Sequence, residues 1–377
     1  MNVGIRQKAN LTINQKRRRG NQTMTKSRLA RLAQASLLAV TLSGAMGAIA
    51  MSSAEAADVK KIAVMTPEDP TDQGWNQQGF DAAKAVAEKY GLEFMPATGL
   101  GYGDVHPQAR ELADDGASLI IAHASGYNTA VPEVGAEKKV PVAIVDKEGA
   151  GQPGVLADYT LSGHEGAYLA GVLAAKTTQT KAVGIVISGE PPSWNSQSAA
   201  FANGVKATDP AVKIFYAVIG PAAYSDAAGG KRVTAQVIAA GADVIFGQGD
   251  GASFGMIEAV ENAKSTSGGK VWFIDVIGDK SEKHGESLLS SVIWDMIPVY
   301  SQMVEDLKAD KFGTHEYAIH LADDSVRLLH TKNIPDDVWA TIEDLRKKII
   351  DGSLKVDRIE DAQKVRALMS SVTDAPQ

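Results

Sequence analysis

The 377-residue chain contains no cysteine. That excludes a disulfide framework and removes the residue to which a lipid anchor is attached. Basic charge is scarce once the first 56 residues are set aside. Those residues hold nine Lys or Arg (Arg6, Lys8, Lys16, Arg17, Arg18, Arg19, Lys26, Arg28, Arg31) against Glu55 alone, so the whole-chain net charge of −7 leaves −15 on residues 57–377. An acidic chain of this kind is a poor partner for nucleic acid. Past Ala56 no apolar run approaches the ~20 residues that a membrane-spanning helix needs. The seven histidines (106, 123, 164, 284, 315, 320, 330) include no pair three or four apart. Each reads as a surface or hydrogen-bonded side chain, and neither a metal nor a cofactor is expected.

What is present begins with an export signal. From Met24 the order is Lys26, Arg28 and Arg31, an apolar run from Leu37 to Ala50, then Ala54-Glu55-Ala56. That is the order of a cleaved secretory signal with an A-x-A site. Ser43, Gly44 and Gly47 interrupt the run, which is too short for an anchor, and residues 1–23 lie upstream of a good start at Met24. The expectation is a soluble, monomeric periplasmic protein that is not a lipoprotein.

After the signal, strand-like and helix-like periods alternate. Apolar runs at 61–66, 92–96, 119–122 and 140–145 are separated by helical spacing at 79–90, 108–114 and 129–138. A second set follows, with strands expected at 183–187, 213–218, 243–246, 271–274 and 289–293 and helices at 163–175, 198–207, 231–240, 254–264 and 299–309. A short β pair near 317–320 and 326–329, a helix over 335–350 and a fraying tail after Val356 close the chain. Parallel β-α-β winding is the economical reading of that order. The expected organisation is a leader over 1–56, one lobe over 58–160, a second over 161–295, and a segment over 296–377 that packs back on both.

One pattern occurs twice. Thr71-Asp72-Gln73-Gly74-Trp75-Asn76-Gln77-Gln78 follows the first strand, and Trp194-Asn195-Ser196-Gln197 follows the strand at 183–187. Both stand where a strand runs into a loop and a helix, at the edge where open α/β sheets bind ligands. An indole beside amides suits stacking on a flat molecule and hydrogen-bonding its rim. The two copies read as the lips of one cleft. Trp294 also ends an expected strand, Tyr127-Asn128 offer another ring and amide, and Asp146 ends the run at 140–145 as an acceptor for ligand N–H or O–H groups. Gly247-Gln248-Gly249-Asp250-Gly251 and Gly99-Leu100-Gly101-Tyr102-Gly103 could cradle an anion with their backbone N–H groups or be plain loops, and Asp250 in the first is a candidate ligand contact.

An enzymatic alternative sits beside these. Gly251-Ala252-Ser253-Phe254-Gly255 is a G-x-S-x-G between strand and helix, with Asp275 and several histidines following in hydrolase order. Gly247 to Asp250 intervene where a nucleophile elbow turns directly off its strand, and no His-Gly-Gly segment precedes it. A secreted serine hydrolase using Ser253 is therefore the rival reading.

Four stretches resemble the basic-membrane-protein family, the purine-nucleoside-receptor-like substrate-binding proteins of ABC transporters. They are Asp72-Gln73-Gly74-Trp75-Asn76-Gln77, His164-Glu165-Gly166-Ala167-Tyr168-Leu169-Ala170-Gly171, Phe201-Ala202-Asn203-Gly204 and Lys311-Phe312-Gly313. The resemblance implies a type I periplasmic-binding-protein fold, an α/β architecture of two Rossmann-like lobes joined by crossover strands. It implies no catalysis, a purine-like or other small planar ligand in the cleft, and an inner-membrane ABC permease as partner; a ligand-presenting protein for a chemoreceptor would look the same. Carried over by position, Asp72, Trp75 and Asn76 would contact the base, with Tyr127 and Asp146 beside them. Two positions depart from the family. Ser291-Val292-Ile293-Trp294 stands where the family often has Ser-x-x-Lys. Ile274-Asp275-Val276-Ile277 stands where it has Ile-Gly-Val-Asp, so the ribose-holding aspartate is either replaced by Ile277 or displaced to Asp275 or Asp279.

Overall fold

A computed structural model describes residues 58–369, so the expected signal segment lies outside the described residues. In chain order come β1 (Lys61–Met65), α1 (Trp75–Tyr90), β2 (Glu93–Ala97), α2 (His106–Asp114), β3 (Leu119–Ala122), α3 (Ala130–Lys138), β4 (Val142–Val145) and β5 (Leu156–Leu161). There follow α4 (Gly163–Thr177), β6 (Ala182–Ile187), α5 (Pro192–Thr208), β7 (Lys213–Val218), α6 (Ala227–Ala239), β8 (Val244–Gln248), α7 (Ala252–Glu261), β9 (Trp272–Ile277), α8 (Ser281–His284) and β10 (Leu288–Trp294). The chain ends with α9 (Ile297–Lys308), β11 (Tyr317–Ile319), β12 (Val326–Leu328), α10 (Asp336–Ile350) and α11 (Ala362–Leu368).

The strands form two six-stranded sheets, ordered β2-β1-β3-β4-β5-β11 and β7-β6-β8-β9-β10-β12. Every pairing is parallel except β10 with β12. Parallel sheets are buried on both faces, so their strands run apolar throughout rather than alternating. β3 (Leu119-Ile120-Ile121-Ala122) and β6 (Ala182 to Ile187) are buried at every position. In each sheet the order reverses beside the first strand, at β1/β3 and at β6/β8, and the crevice outside those carboxyl ends is where such sheets take ligands.

Three expectations are corrected. The strands near 317–320 and 326–329 do not pair with each other. β11 extends the first sheet beside β5, whereas β12 closes the second beside β10, so the six residues between them cross from one lobe to the other. Among the described residues the tail after Val356 is held down to Met369: α11 lies against α5, with Val365 and Met369 buried. The helix expected from Ser198 begins at Pro192, which presets the first helical φ. Trp194 and Asn195 therefore belong to its first turn.

Two of the four family-like stretches turn out to be one helix crossing. A Cβ built on Gly171 of α4 would lie 2.1 Å from the Phe201 carbonyl oxygen of α5, and one on Gly204 of α5 would lie 2.1 Å from the Tyr168 carbonyl oxygen of α4. The glycines let the two backbones touch. Among the described residues no helix is long and apolar enough to cross a membrane.

Candidate functional site

A cavity lies between the lobes, with about 520 Å³ of empty space counted out to solvent. Its wall is built from strand ends of both sheets. The first lobe contributes Pro67 after β1, Tyr102 after β2, Ala124 to Gly126 after β3, Asp146 after β4 and Leu161 of β5. The second contributes Pro191, Ser193 and Trp194 after β6, Tyr224 after β7, Asp250 after β8, Ile277 ending β9 and Trp294 ending β10. Trp75, at the start of α1, completes it.

The indoles of the doubled motif face this one space, but its amides do not. Trp75 stacks on the His123 ring (centroids 3.5 Å apart, planes 13° apart) and donates from Nε1 to the His123 carbonyl at 2.9 Å. Trp294 meets it edge-on at 6.1 Å. Trp194 packs edge-on to Tyr224 at 5.3 Å. Asn76 is fully buried instead, accepting from Glu68 N and donating to Asp72. Asn195 donates to the carbonyls of Glu190 and Glu360, tying down the chain that leads into α11.

Asp72 is also occupied by its own loop. Its two oxygens accept from the backbone N–H groups of Gly74, Asn76 and Gln77 at 2.9–3.0 Å and from Asn76 Nδ2 at 2.8 Å. A carboxylate there satisfies amides that the first turn of a helix leaves unpaired. Tyr127 is buried in the first lobe's core and donates from its hydroxyl to the Gly101 carbonyl. Neither lines the cavity.

Asp275 is likewise absent from the wall. It forms a fully buried ion pair with Lys280, 2.5 Å from Nζ, which also donates to the Gln73 carbonyl of the other lobe at 3.0 Å. Asp279 is exposed and accepts from Ser281 N. Of the alternatives for the family's ribose-binding position, the residue that faces the cavity is Ile277. Ser253 is buried in α7 and donates back to the Gly249 carbonyl, with Asp275 Oδ1 at 3.3 Å. Its partners are a carbonyl and a carboxylate, not the imidazole of a Ser-His-Asp triad.

Two carboxylates do reach the cavity, one from each lobe. Burial pushes Asp146 up to about 7, only partly offset by Arg358 at 3.8 Å and by Ser193. Burial, with Asp72 and Glu68 nearby, holds Asp250 well above the usual carboxylate range. Sequence reading missed Tyr102, Tyr224, Ser193 and His123, although each stands in a strand-end loop or at its margin.

His123 carries the Trp75 platform. Nε2 donates to the Trp75 carbonyl at 2.9 Å, so Nδ1 is the acceptor facing the Tyr159 and Tyr300 hydroxyls at 2.9 and 2.7 Å. Burial lowers its pKa from 6.5 to about 3. Between those values the unfolded chain binds a proton that the folded protein refuses, so the stability owed to neutral His123 is full above 6.5 and is lost as pH falls. Linkage puts that loss at about 2 kcal/mol by pH 5. Asp146 and Asp250 act with the opposite sign, and therefore the parent's own profile mixes the two. Urea unfolding of the parent and of His123→Phe at pH 7.5 and pH 5 isolates the term: the parent is expected to lose about 2 kcal/mol more than the variant. Equal losses would mean that the ring is not held neutral.

Solved structures place the architecture. A solute-binding protein of an ABC transporter system from Aeropyrum pernix K1 superposes with a TM-score of 0.71 at 18% identity, covering 83% of this chain and 97% of that one. One from Conexibacter woesei gives 0.64 at 18% identity, covering 79% and 99%. The fold is that of the type I periplasmic binding proteins.

The sequence then fixes the family. Residues 59–360 match the Bmp family model, described as ABC transporter substrate-binding protein PnrA-like, and the chain belongs to that family. A Listeria monocytogenes protein described as a CD4+ T-cell-stimulating antigen is 30% identical over 205 residues, 51% of this chain and 57% of its own. The nucleoside-binding protein BmpA of Lactococcus lactis is 27% identical over 209 residues, 52% and 59% of the two chains. Basic membrane protein A of Borreliella afzelii is 25% identical over 301 residues, 78% and 90%. The chain thus spans a little over half the length of the first two relatives and nearly all of the third.

Proposed function

We propose that this chain, exported to the periplasm, binds a small flat nitrogen heterocycle of the nucleobase or nucleoside kind in the interlobe cavity and delivers it to an inner-membrane ABC permease. It acts as a monomer and catalyses nothing. The observation that carries the reading is that Trp75 and Trp194, at equivalent places in two lobes, line one cavity. Indole faces favour a planar guest, and carboxylates at the far ends accept from N–H groups on its rim. Ile277 in place of a ribose-binding aspartate favours a bare base over its nucleoside. Lobe closure around the guest is a hinge motion favoured by contacts to both halves.

Native mass spectrometry of freshly purified protein tests the reading by searching for a co-purified compound. Trp75→Leu and Trp194→Leu keep apolar bulk and remove the flat face. Each is expected to weaken calorimetric binding of that compound, or of adenine, about tenfold or more, as loss of an aromatic contact allows. Two variants that bind like the parent would end the reading.

A further inference from the structure

The side chains lining the cavity include two carboxylates and two phenols but no Lys, Arg or His. Asp146 has 5% of its side chain exposed, and its Oδ1 has no hydrogen-bond partner among the described residues. Asp250 is 3% exposed, and its side chain accepts one hydrogen bond among the described residues, from Trp75 N at 3.4 Å. The charges behind the wall do not balance them. Arg358 stands 3.8 Å from Asp146 but is engaged by Glu360 at 2.7 Å. Lys280 is committed to Asp275, while Asp72 and Glu68 add to the negative field at Asp250. A surplus of buried negative charge is costly unless something positive meets it.

The remaining wall supplies the second half of such a site. Trp75, Trp194, Trp294, Tyr102 and Tyr224 all line the space, and an electron-rich ring face attracts a cation. We propose that the ligand is a small organic cation, a flat nitrogen compound with a fixed or protonated positive charge, held in this aromatic box with Asp146 and Asp250 as counter-charges. The proposal rests on the cavity being the ligand site and goes further in assigning the ligand's charge. Against a neutral guest the two buried side chains relieve that cost by taking up protons, the direction in which burial already pushes them, whereas a cation lets both stay ionised and pairs with them.

The test uses the full chain, stripped of bound compound by unfolding and refolding, with four probes in calorimetry at pH 7.5. They are N-methylquinolinium, its neutral isostere 1-methylnaphthalene, adenine and adenosine. The cation is expected to bind about tenfold or more tightly than its isostere, as desolvated cation–π contact and charge pairing allow. Asp146→Asn and Asp250→Asn should each reduce that preference, read as the ratio of the two affinities within one variant. The parent comparison stands even if a variant folds poorly. The proposal is overturned if 1-methylnaphthalene binds as well as the cation, or if the preference survives both substitutions. It is also overturned if adenine or adenosine binds and neither of the other two probes does, a result that leaves the cavity reading intact. Binding by none of the four overturns the charge assignment and counts against the cavity reading as well.

Discussion

Replacing Lys280 with methionine is expected to lower the unfolding free energy by about 3–5 kcal/mol, the range for removing one partner of a buried ion pair. Both side chains are fully enclosed, so solvent does not screen the loss. Asp275 would keep only the long contact from Ser253 and its own backbone surroundings, with burial already pushing its carboxyl above the usual range. Its escape is to take up a proton. An acid whose folded pKa is raised destabilises at high pH, and the penalty fades as pH falls through that pKa. The deficit of Lys280→Met should therefore be largest near pH 8 and shrink towards pH 5 in urea titrations. Pairing it with Asp275→Leu should recover most of the loss, because apolar pairs of similar volume replace buried ion pairs at little cost. A deficit that is small, or that is independent of pH, would mean that the pair contributes nothing.

The same pair shows where the sequence stops being legible. Strand ends could be read, because continuous apolar runs followed by glycine and proline mark a parallel sheet and its carboxyl edge. Trp75, Trp194, Trp294, Asp146 and Asp250 all stand at that edge and all line the cavity. Direction could not be read. Asp72, Asn76 and Asn195 stand at the same edge, but their polar atoms turn to nearby backbone and to one another. An aspartate accepting from its own helix turn looks, in sequence, like one accepting from a ligand. Tyr127 failed for a related reason: the short turn at Ser125–Tyr127 rolls its ring inward, and only the distant Gly101 carbonyl explains its hydroxyl. Lys280 left one faint signal, an Asp275 inside an apolar strand five residues earlier, which needed a cation from somewhere. Strands of three residues carry too little pattern to choose a sheet, and hence β11 and β12 looked like a pair.

Gly278→Val is expected to weaken binding of the co-purified compound about a hundredfold with only a small change in the stability of the unliganded protein. The residue follows β9 in the second lobe, and a Cβ there would lie 2.1 Å from the Gln73 carbonyl oxygen of the first. Both sides of that contact are backbone and neither can swing away. Gly278 is held by Ser291, which donates to its carbonyl at 2.7 Å, and Gln73 sits in the left-handed region at φ 46°. Gln73 also accepts from Lys280, while Gln78 Nε2 donates across the cleft to the Trp294 carbonyl at 3.0 Å and Ser225 reaches Glu68. A side chain at 278 wedges the lobes apart where these bonds converge, and overpacking of this kind costs about 1–3 kcal/mol. At the upper end that is about a hundredfold in affinity. The penalty falls on the joined state alone, since the valine has open space once the lobes part. Small-angle scattering should show the variant keeping a larger radius of gyration after ligand is added, whereas the parent contracts. If the variant binds and contracts like the parent, the interlobe contacts at Gly278 do not limit closure, and the cavity must be completed by some other approach of the two halves.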